Sequence, residues 1–559
     1  MALLDWIVIA LFFVALIGII VWVMRQKQNN AADYFLGGKD ATWIAIGASI
    51  FASNIGSEHL IGLAGSGASS GMAMAHWEIQ GWMILILGWV FVPFYSRSMV
   101  YTMPEFLEKR FNPQSRTILA TISLISYVLT KVAVTVYAGG LVFQQVFGIN
   151  ELWGIDFFWI AAVGLVLITA LYTVLGGMKS VLYTSVLQTP ILLLGSLIIL
   201  VLGLRELGGW DEMMRICSAV KVNEYGDTMT NLIRNNADPQ YPWLGALVGS
   251  AVIGFWYWCT DQFIVQRVLS GKDEREARRG TIFGAYLKLL PVFLFLIPGM
   301  IAFALHQNLG DFLPMLPNGS VNSDAAFPTL VAKLLPAGVK GLIVCGILAA
   351  LMSSLASLFN SSAALFTIDF YQRFKPDTEP KKLVRIGQVA TVAIVILGIL
   401  WIPVMRSVGD VLYLYLQDVQ SVLAPGIAAA FLVGILWKRA TAQGGMWALI
   451  SGLVIGLTRL AAKVYYSNAG ETGDSLFRSV FYDCNWLFFC GWMLVLCLVV
   501  AIIVSLCTTA PSPEKIRGLV FGTSTPEQRA ATRASWNKWD VIHSIIILGI
   551  TVAFYYYFW

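Results

Sequence analysis

The chain has 559 residues, of which 58% are hydrophobic and 12% are charged, and its mean hydropathy is +0.73. Soluble domains carry about twice that fraction of charged residues, so the composition excludes a cytosolic enzyme, a secreted domain, a disordered tail and a nucleic-acid-binding protein. The net charge is only +5, and the seven cysteines form neither a CxxC motif nor a Cys/His cluster. The composition indicates a polytopic membrane protein.

About fourteen apolar segments are each long enough to cross a bilayer, for which a helix needs about 20 residues. In chain order these segments are 4–24, 41–64, 71–98, 117–147, 155–174, 180–203, 242–270, 281–306, 329–372, 383–406, 409–436, 443–464, 485–508 and 538–559. We therefore predict an all-α polytopic protein with about 14 transmembrane helices. The first segment lacks a preceding basic residue and a good cleavage site, so it is predicted to be a helix and not a signal peptide.

Basic residues predict the orientation of the chain in the membrane. They cluster after the first, third, seventh, ninth, eleventh and thirteenth segments, whereas loop 307–328 contains no Lys or Arg. Because short cytoplasmic loops carry an excess of Lys and Arg, we expect the loops after odd-numbered segments to be cytoplasmic and both termini to lie on the outer side. The short termini and loops lead us to expect a bacterial inner membrane.

The sequence also narrows the class of membrane protein. It has no Walker motif and no large soluble domain, which argues against an ATP-driven pump and a kinase-linked receptor. A channel needs a repeated filter element, and a hydrolase needs a nucleophile with a base and an acidic residue that orients it; neither pattern is visible. We predict a secondary transporter, not an enzyme, without a cofactor. A role in sensing a solute without transporting it stays open.

The second segment is interrupted at its middle by small and polar residues, in the run SNIGSEHLIG at 53–62. Secondary transporters bind their ions and substrates near the bilayer midplane, where helices unwind and expose backbone carbonyls. The ninth segment contributes Ser353 and Ser354, whose hydroxyls would complete an oxygen site for a small cation if the two helices pass side by side. Close helix packing is the alternative explanation for such small residues.

Ionisable and polar side chains inside predicted membrane segments are costly and are therefore candidates for function. Those in the middle segments, with the aromatic residues near them, are His59, Trp77, Glu78, Tyr257, Trp258, Asp261, Lys288, Tyr413 and Gln417. Polar groups around a rim, with an aromatic face against the apolar side of a ring, are suited to binding a neutral polyol. A structural role is the alternative for two of them: a lone histidine such as His59 is usually a satisfied structural group, and Asp261 can simply pair with a neighbouring polar group.

Seven motifs in a fixed order give the chain its resemblance to a known family. They are ADYFLGGKD at 32–40, SNIGSEHLIGLAGSG at 53–67, TMPEFLEKRF at 102–111, WYWCTDQFIVQRVLS at 256–270, LKLLP at 287–291, LMSSLASLFNSSAALFTIDFY at 351–371 and LWKR at 436–439. With these motifs the chain resembles the sodium/solute symporter family, most closely its sodium–sugar (glucose/galactose) cotransporter branch. The resemblance implies a single transporter domain, 1–559, with a LeuT-type core of two inverted five-helix repeats at 41–203 and 242–436. A peripheral helix at 4–24 and three helices within 443–559 would be additions to that core.

The resemblance also implies the roles of individual residues. The substrate site would consist of Asn54, His59, Glu78, Tyr257, Trp258, Lys288 and Gln417. Tyr257 would also serve as the inner gate, and the outer gate would consist of Leu63, Trp77 and Tyr413. The sodium site would consist of the carbonyls of Ala52, Ile55 and Ala350 and the hydroxyls of Ser353 and Ser354.

The implied function is symport of a neutral hexose, glucose or galactose, with sodium as the coupling ion, by alternating access in the cell membrane. Some members of the family use an aspartate in a second sodium site; Ser185 stands there, and Ala356 replaces a hydroxyl, so we predict one sodium ion per sugar. Gly254 stands where relatives place a hydrogen-bond donor to the sugar, which leaves the preferred sugar open. A polyol such as myo-inositol and an organic anion such as sialic acid are the alternatives. The expected partners are a small solute, sodium and membrane lipid, with no nucleic acid and no obligate protein partner.

Overall fold

The structure is a computed structural model that describes residues 2–26, 28–56, 58–316, 319–408, 412–468 and 475–559, without the side chains of 129, 138, 141, 145, 404–416, 467 and 468. Within this part of the chain, 12 helices are long and apolar enough to cross a membrane. They are Leu3–Met24, Glu58–Ser98, Pro113–Gln144, Phe157–Leu207, Trp243–Thr260, Glu274–Leu309, Val339–Phe374, Pro380–Pro403, Gln417–Leu436, Ala442–Tyr466, Trp486–Cys507 and Lys538–Tyr557. The shorter apolar helix Trp43–Asn54 precedes the second of them.

The structure has 12 candidate spans where the sequence predicts about fourteen. The counts differ because two of the 12 are long helices that each turn sharply at a glycine with positive φ. Gly177 (φ +53) turns Phe157–Leu207, and Gly71 (φ +68) turns Glu58–Ser98. A Cβ at residue 177 would overlap the carbonyl oxygen of Tyr34, so this turn requires glycine. The exact number of membrane crossings stays a prediction, as does the division into repeats 41–203 and 242–436.

The predicted segment 329–372 is wrong as a single helix. The structure has one helix over Ala326–Leu334 and a second that begins at Val339. Between them Leu335 is extended (φ −91, ψ 132) and Gly338 has φ +88. Pro336 explains the interruption, because proline disfavours helical backbone at the preceding residue and cannot donate a helical hydrogen bond.

Short elements lie in the connections. The helices among them are Ala31–Phe35, Met103–Arg110, Trp210–Ala219, Gln262–Leu269, Leu476–Arg478, Pro513–Ile516 and Pro526–Ala534. Strands Glu151–Leu152 and Ile155–Asp156 pair antiparallel, with Glu151 opposite Asp156. This small hairpin is the only sheet in the described residues, which are otherwise mostly helical.

Helix Val339–Phe374 forms the centre of the bundle and is buried over nearly its whole length. It packs along Phe157–Leu207 and against Trp43–Asn54. Leu3–Met24 and Lys538–Tyr557 instead expose most of their apolar side chains, as expected of helices that face lipid. The interrupted helix at 43–63 therefore lies against the most buried of the candidate membrane spans in the described part of the chain.

Candidate functional site

The second predicted segment is interrupted where the sequence indicates. Helix Trp43–Asn54 ends, Ile55 is extended (φ −81, ψ 110), and the chain becomes helical again at Glu58. The hydroxyl of Ser354, from the central helix, lies 2.9 Å from the carbonyl oxygen of Ser53 and 3.1 Å from that of Ile55, and donates to them. The interruption and the central helix thus place backbone and hydroxyl oxygens side by side.

The other predicted sodium ligands lie around this contact. Ser353 directly precedes Ser354, and its hydroxyl oxygen lies 3.3 Å from that of Ser185. Ala52, which directly precedes Ser53, and Ala350, which lies one helical turn before Ser354, are each 1% exposed. The set consists of neutral oxygens, which is a chemistry suited to a monovalent cation at an unwound helix.

All seven predicted substrate residues line one buried cavity. The lining side chains are Asn54, Glu58, His59, Trp77, Glu78, Gln80, Ile253, Tyr257, Trp258, Lys288, Gln417 and Gln420, together with Gly254. Leu63, predicted for the outer gate, is fully buried and is not among the residues that line this cavity. The side chain of Tyr413, the other predicted gate residue, lies outside the described part of the structure.

A charged pair lies at the centre of the cavity. The Lys288 ammonium lies 2.6 Å from a carboxylate oxygen of Glu78, and each side chain is 3% exposed. Lys288 also donates to the amide oxygen of Asn54 at 3.0 Å, and the amide nitrogen of Asn54 donates to the Tyr257 hydroxyl at 3.2 Å. His59 Nε2 lies 3.3 Å from the same Glu78 oxygen, but it is not aligned for a hydrogen bond. The network pairs the two charges with each other and links them to neutral polar groups.

Aromatic rings form one side of the cavity. Tyr257 and Trp258 are in edge-to-face contact, with centroids 4.9 Å apart at 83°. Tyr257 also lines a second cavity, together with Glu58, Lys131 and Ser354. Tyr257 therefore stands between the substrate cavity and a cavity that reaches the proposed sodium ligands, which is a suitable position for a gate.

On the other side of the cavity, Trp77 belongs to a cluster of aromatic rings that the sequence did not reveal. Its ring stacks on Trp486 (5.6 Å, 19°) and contacts the edge of Tyr241 (6.3 Å, 67°). Trp486 comes from a helix outside the two predicted repeats. The contact of Trp486 with Trp77 could not be predicted, because an aromatic residue at the end of a membrane helix more often lies at the membrane–water interface.

Gln80 lines the same cavity and was not among the predicted site residues. Its side chain fills the space that a side chain at Gly254 would need. It donates to the carbonyl of Ser250 at 2.8 Å and accepts from Trp258 Nε1 at 3.2 Å. An amide group thus lies beside the position where the resemblance implies a hydrogen-bond donor. The sequence shows that residue 254 lacks a side chain, but it does not show that Gln80 lies against this glycine from another helix.

The predicted segment 242–270 is also wrong as a continuous helix. It is interrupted at Asp261 (φ −77, ψ 128), whose carboxylate accepts from the backbone N–H of Phe263. Asp261 forms a buried ion pair with Lys131 at 2.6 Å and accepts a hydrogen bond from the Tyr127 hydroxyl. The expectation that Asp261 pairs with a neighbouring polar group agrees with this contact. The interruption itself was missed, although Thr260 and Asp261 were a polar signal.

Candidate membrane spans, two interrupted helices and a polar cavity beside a cluster of neutral oxygens define a secondary transporter. The chain belongs to the sodium:solute symporter family, whose sequence model matches residues 34–452. It is therefore a sodium-coupled symporter and a multi-pass membrane protein, in a family of transporters and not of enzymes.

Individual relatives agree with this assignment. The chain is 37% identical to the sodium/myo-inositol cotransporter of Bos taurus over 548 residues, covering 92% of this chain and 75% of that protein. It is 37% identical to sodium/glucose cotransporter 4 of Danio rerio over 557 residues, covering 96% and 83%. Both relatives come from vertebrates, so they give no support to the bacterial inner membrane expected from the loops.

Solved structures identify the fold. A substrate-bound, outward-open Na+-coupled sialic acid symporter superposes with a TM-score of 0.72 at 22% identity, covering 91% of this chain and 99% of that one. MhsT in complex with L-phenylalanine superposes with a TM-score of 0.51 at 14% identity, covering 84% and 98%. At these identities the likeness concerns the fold alone, and it confirms the predicted LeuT-type architecture.

Proposed function

We propose that this protein carries a neutral, six-membered ring with several hydroxyl groups across the membrane together with one sodium ion, by alternating access and without a cofactor. The hexoses glucose and galactose are the first candidates, and myo-inositol is the second. The observation that carries the proposal is the paired charge of Glu78 and Lys288 in one buried cavity that amide, hydroxyl and aromatic groups, His59 and the Glu58 carboxylate also line.

The charge of this cavity favours a neutral substrate. Lys288 is the one Lys or Arg among the described residues that line it, and its ammonium is already neutralised by Glu78 at 2.6 Å. An anion such as sialic acid would need an unpaired cation or a helix N-terminus directed at its carboxylate. A polyol instead needs hydrogen-bond donors and acceptors and an apolar surface. Asn54, Gln80 and Gln417 supply the donors and acceptors, and the rings of Tyr257 and Trp258 supply the apolar surface.

The relatives also support myo-inositol as a substrate. Both a hexopyranose and myo-inositol present a ring of hydroxyls to a polar rim, and the relatives include proteins named for each. They differ in that the hexose carries a ring oxygen and a hydroxymethyl arm, whereas every carbon of myo-inositol carries a hydroxyl. The absence of a side chain at Gly254, with Gln80 in its place, is the feature of this cavity that bears on the choice.

Sodium would act by stabilising one conformation. A cation between the Ile55 carbonyl and the Ser354 hydroxyl would hold the interrupted helix against the central helix. It would shift the conformational equilibrium only by its difference in affinity for the two states. Substrate would then close the Trp77 side of the cavity, and movement of Tyr257 would open the way toward the second cavity.

The test is uptake of labelled glucose, galactose and myo-inositol into proteoliposomes, with an inward sodium gradient or with potassium in its place. We expect sodium-dependent accumulation of at least one of these solutes above its external concentration, without competition by sialic acid. The matched control is Glu212→Gln, which removes a carboxylate that pairs with Arg215 and does not line the cavity. Sodium-driven accumulation of sialic acid, or sugar binding without accumulation, would contradict the proposal.

We further propose that both chain termini lie on the outer side of the membrane. The alternation of the basic loops supports this orientation. Single cysteines at Ser218 and at Lys382, in a background without the seven native cysteines, should be labelled by an impermeant reagent from the outside and the inside, respectively. The opposite labelling pattern would reverse the assignment.

A further inference from the structure

A third cavity, of about 420 Å³, lies away from the two cavities described above, where three helices meet. Trp43 begins the interrupted helix, Arg279 and Tyr286 belong to Glu274–Leu309, and Trp539 and Asp540 lie in the first turn of Lys538–Tyr557. Basic residues lie close to the starts of these helices in the chain: Lys39 and Lys272 precede two of them, Arg275 lies in the first turn of Glu274–Leu309, and Arg533 lies in the preceding helix Pro526–Ala534. The cavity is therefore on the basic face of the protein and is separate from the substrate and sodium residues.

Two exposed tryptophans indicate that the cavity lies at the depth of the lipid headgroups. Trp43 and Trp539 are 37% and 57% exposed, and exposed tryptophans at helix starts are typical of the membrane–water interface. The next residues along the same helices include Ile44 and Ile542, which are also exposed and so face the hydrocarbon. The lining of the cavity continues in that direction with the apolar Phe283.

Its polar end has spare hydrogen-bond donors. Arg279 Nε donates to one Asp540 oxygen at 3.1 Å, and the other Asp540 oxygen accepts from the backbone N–H of Asn537 at 2.8 Å. Both oxygens of the acid are thus engaged, whereas a guanidinium has four further N–H groups. No hydrogen bond to another residue uses them within the described part of the chain. Asp540 neutralises the charge of Arg279, so the remaining N–H groups would bind a phosphate through hydrogen bonds, in the fork geometry that suits it.

We propose that this cavity binds an anionic phospholipid, with the headgroup phosphate at Arg279 and an acyl chain along Phe283 and the exposed isoleucines. The apolar wall favours a lipid over a soluble phosphate, and the surplus of basic residues favours an anionic lipid over a zwitterionic one. Two of the helices involved also carry transport residues: Asn54 ends the helix that Trp43 begins, and Lys288 lies two residues after Tyr286. Bound lipid would therefore stabilise the part of the bundle that holds the substrate cavity.

The test is thermal unfolding of the purified full chain in detergent, titrated with phosphatidylglycerol or phosphatidylcholine of the same acyl chains. We expect phosphatidylglycerol to raise the melting temperature at lower concentration than phosphatidylcholine does. In Arg279→Gln the concentration needed for half of that effect should rise about tenfold, as expected for the loss of a hydrogen bond to a charged group. The matched control Arg215→Gln removes an exposed arginine that is likewise paired with a carboxylate, and it should keep the wild-type response.

Three results would overturn the proposal. They are equal responses to the two lipids, an unchanged lipid preference in Arg279→Gln, and the same stabilisation by soluble glycerol phosphate. If Arg279→Gln does not fold, Trp539→Ala replaces it, because this largely exposed side chain forms a wall of the cavity. Native mass spectrometry of that variant should then show loss of the phosphatidylglycerol that the wild-type protein retains, and full retention would overturn the proposal.

Discussion

The pair of Glu78 and Lys288 gives the sharpest prediction about the substrate cavity. Glu78→Gln keeps the shape of the side chain and removes its charge, so the Lys288 ammonium remains buried without a counter-charge. We expect this variant to unfold at lower temperature, to lose uptake of the neutral solute, and to become sensitive to competition by an anionic sugar such as glucuronate.

The magnitude follows from the geometry. Two unit charges 2.6 Å apart attract each other by about 6 kcal/mol at an effective dielectric constant of 20. Much of this attraction offsets the cost of removing both charges from water, so the pair itself adds little net stability. Removing one partner leaves that cost in place for the other, and the expected loss is about 3–5 kcal/mol. Replacing both, as in Glu78→Gln with Lys288→Met, should restore most of the stability but not the transport.

The assay combines thermal unfolding with sodium-driven uptake for the wild type, the single variant and the double variant. Glu212→Gln is the control, because it breaks an Arg–Glu pair whose arginine is 68% exposed, and such surface pairs contribute about 0–1 kcal/mol. A single variant as stable as the wild type would refute the reasoning, because it would mean that Lys288 is not charged in the cavity. A double variant as unstable as the single variant would refute it as well.

Three further substitutions test the two sites separately. Ser354→Ala should raise the sodium concentration for half-maximal uptake about tenfold. The control Ser357→Ala, which removes a hydroxyl that is hydrogen-bonded to the Ser53 hydroxyl, should change this concentration little. An unchanged sodium dependence in Ser354→Ala would remove Ser354 from the site. Gln80→Leu should raise the KM for the solute and leave the sodium dependence unchanged, because it deprives Trp258 Nε1 of its acceptor. Gln417→Glu, which adds a carboxylate to the cavity, should likewise weaken uptake of a neutral solute at constant sodium affinity.

The parts of the site that could be predicted are those with a local signal. The run of small and polar residues around Ile55 indicated an interruption because such residues are unusual at the middle of a membrane segment. The pair Ser353 and Ser354 stood out for the same reason. The structure joins these two signals through the contact of 3.1 Å between Ser354 and Ile55. Pro336 and Gly338 were an equally local signal of an interruption, and the single predicted segment 329–372 overlooked it.

The missed parts depend on contacts between distant residues. Lys131 and Asp261 are 130 residues apart, and neither residue indicates by itself which partner neutralises it. Gln80 occupies space at Gly254 only because two helices meet there. Burial and pairing of charges are properties of the packed bundle, so the sequence identified the candidates but not their partners.

The neutral character of Ser185 sets the energetics of the proposed coupling. The Ser185 hydroxyl donates to the carbonyl of Val181 at 2.6 Å and lies 3.3 Å from the hydroxyl of Ser353. It brings no negative charge to the position where the family resemblance implies an aspartate in members with a second sodium site. With one sodium ion, a potential of about 100 mV supplies about 2.3 kcal/mol, and a tenfold sodium gradient adds about 1.4 kcal/mol. Their sum supports a solute ratio of roughly 500. A second ion would square that ratio, so equilibrium accumulation well above roughly 500 at these gradients would contradict one-to-one coupling and require another cation site.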